Sequence, residues 1–219
     1  MSPRWIDRME RRFGDWGVPN PALFIVGMNA AIWALSQVKP EFPALLVLEP
    51  SLIARGEWWR VFTFLFLPPR LSPLFMLLWL YLLWMYAQAL DNEWGEFKFT
   101  MFYGIGAAAT VAASLVMGVG LSNLTLNATI FLAFAALYPD FELLLFFILP
   151  VKVKWLAWLT WATIAFSFLT GTWEVRAALS GGLLGYAVFF GEDHLRGVLN
   201  WWKIRRNRRK YGDAFKDDR

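Results

Sequence analysis

The sequence predicts an all-α membrane protein: six transmembrane helices in one bundle, with a first loop semi-immersed in the bilayer. Three observations predict it. Six apolar segments long enough to cross or nearly cross a bilayer are joined by loops that hold almost all the charge. The 219 residues are 58% hydrophobic and only 17% charged, with mean hydropathy +0.43, where a soluble domain carries about a quarter charged residues. The basic residues are also lopsided. With both termini on one side, that side holds 16 of the 21 Lys and Arg and the other side 5, the bias that sets orientation with N and C termini in the cytoplasm.

The elements follow in order. Residues 1–21 form an amphipathic cytoplasmic arm, in which Trp5, Met9, Arg12 and Phe13 have helical spacing and Pro19 and Pro21 end the segment. The membrane domain is expected over 22–191. Its spans are Ala22 to Val38, Pro73 to Leu90, Phe99 to Leu121, Leu124 to Tyr138, Trp155 to Thr170 and Ala177 to Phe190. The clearest, Pro73 to Leu90, runs eighteen residues without a charge; a hydrocarbon core of about 30 Å takes roughly twenty residues at about 1.5 Å each. The fourth and sixth spans are short and need either thin bilayer or a place inside the bundle. Many of the 14 Trp lie near span ends, among them Trp5, Trp58, Trp94, Trp155 and Trp201, as in an interfacial aromatic belt.

Two connections are unusual. The loop Lys39 to Arg60 is proline-rich and half apolar, so it either dips into the outer leaflet or packs on the bundle. Residues Asp140 to Lys154 contain LLLFFIL, too short to span, and Pro150 separates it from the next helix. It reads as an interfacial segment on the cytoplasmic side. Residues 192–219 form a basic cytoplasmic tail with the run KIRRNRRK, and its last residues read as a frayed end. Directly after a span, such a run is a topology anchor on anionic lipid rather than a nucleic-acid site. No cleavable leader is expected, because the first residues are polar and basic.

The residue inventory narrows the chemistry. Without cysteine there is no disulfide, thiolate site or cysteine nucleophile. One histidine, His194, with carboxylates confined mostly to loops, gives no metal set. No cofactor is expected. A serine needs an adjacent base, yet Ser114 and Ser122 lie toward the face opposite His194, and Ser180 has no base or lysine near it in sequence. Polar residues Ser122, Asn123, Thr125, Asn127 and Thr129 cluster at the start of the fourth span. Amides in lipid are costly unless paired, so Asn127 is expected to face the bundle, as glue between helices or as a polar patch for a ligand.

A span, a long semi-apolar loop ending in Trp59-Arg60, and five closely spaced spans form a familiar order. GEWWRVFTFLFL (56–67), DNEWGEFKFTMFYG (91–104), the YPD after the fourth span and GGLLG (181–185) stand in it. Over residues 22–191 this resembles the rhomboid family of six-helix intramembrane proteases and their inactive relatives, including the Derlins. The resemblance places the catalytic serine at Asn127 (or Leu124, counted from Pro139), the histidine base at Leu179 (or Ala178), and the two oxyanion donors of the second helix at Phe75 and Trp79. None of these can attack, deprotonate or donate as the family requires. From the residues themselves, Arg60 after Trp59 is expected to anchor the first loop by hydrogen-bonding carbonyls or headgroups, and Gly181, Gly182 and Gly185 to allow close helix approach.

The expected function is therefore that of a catalytically inactive rhomboid-like pseudoprotease. By its likeness to the Derlins it would bind transmembrane clients in membrane-protein quality control in the cytoplasmic (inner) membrane. The alternative is an intramembrane serine protease with an unconventional site. A channel is disfavoured because the spans carry almost no charge. The expected partners are the bilayer, client spans and anionic lipid at the basic termini, with no nucleic acid. The resemblance also leads Phe75 and Trp79, four residues apart, to be expected on the face toward the fourth and sixth spans, filling the space that is a water-accessible cavity in the proteases.

Overall fold

Proline and glycine punctuate the apolar runs and set where the helices start and stop. The computed structural model describes residues 4–145 and 149–211. Its helices are α1 (Arg4–Phe13), α2 (Pro21–Val38), α3 (Pro50–Ile53), α4 (Arg60–Thr63), α5 (Pro73–Trp94), α6 (Glu96–Met117), α7 (Leu124–Leu137), α8 (Val153–Thr170) and α9 (Trp173–Tyr211). Proline opens α2, α3 and α5, where its missing N–H costs nothing and its fixed φ suits the first turn. Gly95, at φ 80°, separates α5 from α6. Gly118, at φ 67°, stops α6 at Met117, four residues short of the span end read from hydropathy. That left-handed position favours glycine. Beyond it the chain is extended, and Leu121 pairs with Leu48 of the first loop.

Four helices, α2, α5, α6 and α8, are long and apolar enough to cross a membrane by length and composition. α7 is apolar but has only 14 residues, about 21 Å at the helical rise. α9 has 39 residues and runs unbroken from the bundle through the region where the basic tail begins.

α6 and α9 form the most extensive helix pair, and α7 packs against α5, α8 and α9. The core is aromatic at one end: Trp94 stacks near Phe102, Phe189 and Phe190, and Tyr186 lies on Phe190. α1 docks at this same end. Ile6 is fully buried, and Asp7 and Glu10 pair with Lys98 of α6 at 3.0 and 3.1 Å. At the opposite end the first loop packs on the bundle through Leu48 and Phe64, both fully buried.

The chain is not purely α. Residues 140–154 contain a β-hairpin, β1 (Glu142–Leu145) antiparallel to β2 (Leu149–Lys152), with Glu142 opposite Lys152 and Leu144 opposite Pro150. The segment is interfacial in length, but its backbone is paired rather than irregular. Pro150 forbids a helix through it and is tolerated because a two-stranded ribbon is all edge.

Candidate functional site

The polar residues at the start of α7 organise the segment that leads into α5. Asn123 is the residue before α7, yet its side chain does not cap that helix. It is buried and donates from Nδ2 to the carbonyls of Leu65 and Leu67, at 2.9 and 3.0 Å. The Tyr103 hydroxyl, from α6, donates to the same Leu65 carbonyl at 3.2 Å and stands 3.5 Å from Asn127 Oδ1. Asn123, Tyr103 and Asn127 thus hold the linker between α4 and α5 against α6 and α7. Asn127 Nδ2 is buried and has no hydrogen-bond partner among the described residues. Thr129 returns its hydroxyl proton to the Leu126 carbonyl. In this arrangement the amides and hydroxyls hold backbone carbonyls in place.

The other residues singled out from the sequence fall in several places. Leu179 is half-buried on α9. Gly181 and Gly185 face α6: a Cβ on Gly181 would lie 3.0 Å from Thr110 Cα, and one on Gly185 would meet the Phe102 carbonyl oxygen. Gly182 faces α7, where a Cβ would come within 2.5 Å of Thr125 Cβ. Two helices therefore close on α9 through bare backbone. Arg60 is 3% exposed; it donates to the carbonyls of Ala44 and Val47 at 2.9 and 3.0 Å and pairs with Glu57 at 2.7 Å. Trp59 beside it is exposed. The His194 side chain and the KIRRNRRK side chains lie outside the described residues.

The expectation for Phe75 and Trp79 is corrected. Phe75 is 54% exposed, and Trp79 is half-buried at the edge of the core. The residues that α5 turns inward are Met76, Leu80, Leu83, Ala87 and Leu90, spaced by four, three, four and three as one helix face requires. Phe75 and Trp79 do share a face, but it is the flank of that inward stripe, so the two rings do not fill a cavity in front of Asn127.

Two cavities are candidate binding spaces, and only the second reaches the polar site. One, of about 780 Å³, is an apolar groove between α7 and α8, with Leu132 and Ala135 on one wall, Ala157, Trp158 and Trp161 on the other, and Tyr186 of α9 behind. The other, of about 680 Å³, lies between the end of α2, the first loop and the start of α7, with Gln37, Arg70, Ser122 and Asn123 among its lining. Sequence reasoning missed both, along with the role of Tyr103. The spacing of Ala157, Trp161 and Ala165 by four sets two alanines and a tryptophan on a single face of α8, a sequence signal that could have pointed to the groove.

At the α1 end the groove finishes near Lys154. Its ammonium donates to Asp140 Oδ1 at 2.8 Å, with Lys152 at 3.5 Å from the same oxygen. The Lys154 hydrogen bond, then the two positive charges, hold the Asp140 carboxyl below the usual carboxylate range.

Among curated proteins, none matches this chain. The model of the Der1-like family matches residues 21–203, from the first residue of α2 into the long last helix and across every element of the polar site and the groove. The match takes in helices α2 to α8 and most of α9, and the chain belongs to the Der1-like family, the rhomboid-like pseudoproteases known as Derlins.

Proposed function

We propose that the protein is a six-span, catalytically silent rhomboid-like membrane protein that binds the transmembrane segments of other membrane proteins and serves in their quality control. The observation that carries this is the groove between α7 and α8. Of α8, only Val153 is buried, so one wall of the groove is a helix that little else holds. A client helix needs an apolar slot with small residues for close approach, and Ala135, Ala136, Ala157 and Ala162 line this one. The family's members are generally inactive, and the rhomboid resemblance puts the nucleophile position at Asn127 or Leu124 and the base position at Leu179 or Ala178, none of which can fill those roles.

Four of the spans are α2, α5, α6 and α8; α7 and the first half of α9 complete the six. The basic asymmetry supports both termini in the cytoplasm, and the membrane we propose is the inner membrane. The exposed Arg8, Arg11 and Arg12 of α1, spaced i, i+3, i+4, support contact with anionic headgroups.

The test places a photo-crosslinker at Ala157 in the groove and, as a control, at Leu35 on α2, in cells expressing a misassembled membrane protein. Crosslinking from 157 and not from 35 supports client binding in the groove. Equal yields at both positions reject it. A fluorophosphonate probe on the purified protein addresses the alternative of an unconventional serine protease: labelling that vanishes on mutation of one serine would establish that reading instead.

A further inference from the structure

We propose that the β1–β2 hairpin is a membrane-inserted element that seats in the cytoplasmic leaflet beside the short helix α7, its occupied surface being lipid. The hairpin has a gradient of polarity along its length. At its base stand Asp140, Glu142, Lys152 and Lys154, with Lys154 and Lys152 both paired to Asp140. Towards the tip the described side chains are apolar: Leu144 is 60% exposed, Pro150 opposite it is exposed, and the sequence between the strands reads Phe-Phe-Ile. The two faces also differ. Leu143 packs on the core, while the pairs Glu142–Lys152 and Leu144–Pro150 share the outward face.

In water, the outward Leu144 and Pro150 of a two-stranded ribbon are a pairing and aggregation hazard. Lipid removes that hazard, and it is continuous here with the next exposed surface, since Trp155 and Trp158 at the start of α8 are also outward. Depth follows from two lengths. α7 covers about 21 Å of a core of about 30 Å, so its cytoplasmic end leaves a layer of about 9 Å, and a four-residue strand is about 13 Å long. The ribbon's outer edges carry unpaired N–H and C=O groups that hydrocarbon cannot satisfy, which keeps it at the polar boundary rather than deeper. The base is firm: Val153 N–H donates to the Phe141 carbonyl at 2.8 Å and Lys154 N–H to the Pro139 carbonyl at 3.1 Å, extending the ladder into α8. The inference rests on the six-span topology, not on client binding, so failure of the crosslinking experiment leaves it standing.

The chain has no cysteine, so single labels are clean. Leu144→Cys, with Phe141→Cys as a second position, is labelled with an environment-sensitive fluorophore and reconstituted in phosphatidylcholine–phosphatidylglycerol vesicles. Leu159→Cys on the outward face of α8 serves as a lipid reference and Lys39→Cys as an aqueous one. The expected result is quenching by lipids whose nitroxide lies near the glycerol end of the acyl chain, weaker quenching by a chain-terminal nitroxide, and protection from iodide. A label that iodide reaches and nitroxide lipids do not would overturn the proposal, by placing the tip in water. Protection from both would overturn it equally, by showing that protein covers the tip.

Discussion

The α6–α9 interface and the α8 helix are both made of apolar, membrane-length helix, yet they are held in opposite ways. At α6–α9, glycines at 106, 181 and 185 bring backbone onto backbone, and an added Cβ would touch main-chain atoms. At α8, a single residue is buried and a groove of about 780 Å³ runs along its junction with α7. In lipid, no hydrophobic force pushes spans together, so helices associate through close packing and hydrogen bonds. The polar ties of α8 sit at its two ends, Lys154 to Asp140 and Arg176 to the carbonyls of Phe168 and Leu169, and its middle has no glycine-built contact with α7, so that stretch is where a competing span meets least resistance. The bundle is a fixed half, α6, α7, α9 and the clamped first loop, with a loosely attached α8 that forms one side of the proposed client slot.

The largest expected effect breaks the fixed half. Gly185→Val puts a branched side chain against the Phe102 carbonyl and within 3.2 Å of the Gly106 nitrogen, neither of which can yield by a rotamer change. A loss of about 3 kcal/mol or more is expected, at the high end for overpacking, read as a lowered unfolding midpoint in detergent. Leu159→Ala on α8, where the side chain is 64% exposed, should change stability by no more than about 0.5 kcal/mol. Equal sensitivity at the two sites would dissolve the comparison. Next is Arg60→Ala, which leaves the carbonyls of Ala44 and Val47 without their buried donor. The expected loss is about 2 to 3 kcal/mol, with proteolysis appearing first in the loop between α2 and α4.

The polar cluster sharpens the picture further. Asn123→Ala strips the donor from two linker carbonyls and should cost about 1 to 2 kcal/mol. Asn127→Leu removes a buried Nδ2 with no partner among the described residues and, with it, the Oδ1 that stands 3.5 Å from the Tyr103 hydroxyl; the two effects oppose, and a change within about 0.5 kcal/mol is expected. If Asn127→Leu leaves stability intact but weakens client crosslinking, the orphan amide is a contact for the client's own carbonyls. Trp79→Ala follows at about 1 to 2 kcal/mol, below the range for a fully buried ring, because Trp79 is only half-buried. Phe75→Ala should be silent within about 0.5 kcal/mol.

How much could be read without coordinates differs by element, for physical reasons. Membrane helices declare themselves by length and apolarity, so α2, α5 and α8 begin within two residues of where the sequence puts them. The end of α6 depends on one left-handed glycine, and hydropathy is blind to φ. The hairpin was hidden because Leu143 to Leu149 is apolar throughout and has no period of two, while its pairing is visible only once both strands are placed. The faces of α5 were unreadable for a related reason. A helix apolar all round has no preferred side, so counting from Gly95 gives positions for Phe75 and Trp79 but not a direction. That Asn127 approaches Tyr103 was partly legible from the cost of an amide in lipid. The groove was not, because it depends on how α8 lies against α7.

The smallest expected effect lies at the joint between the two halves, where Asp140 ties the hairpin base to the first turn of α8. Its carboxyl sits below the ordinary carboxylate range, first through the Lys154 hydrogen bond and then through the charges of Lys154 and Lys152. A depressed folded-state pKa means the tie contributes fully above the unfolded value, about pH 4, and is lost as pH falls through the lower folded value. Asp140 is fully exposed in charge terms, so salt screens the tie and its contribution to global stability is slight. Local order is the better measure. Protection of the amides in Glu142–Leu145, taken relative to the intrinsic exchange rate at each pH, should fall as the sample is acidified below about pH 4, while the protection of α6 and of the part of α9 packed on it stays unchanged. Asp140→Asn should remove the pH step and set protection at the acid level throughout, and high salt should flatten it in the parent protein. A step that survives in Asp140→Asn would assign it to another carboxylate at that end, Glu93 or Glu142, and would detach the hairpin from the control of α8.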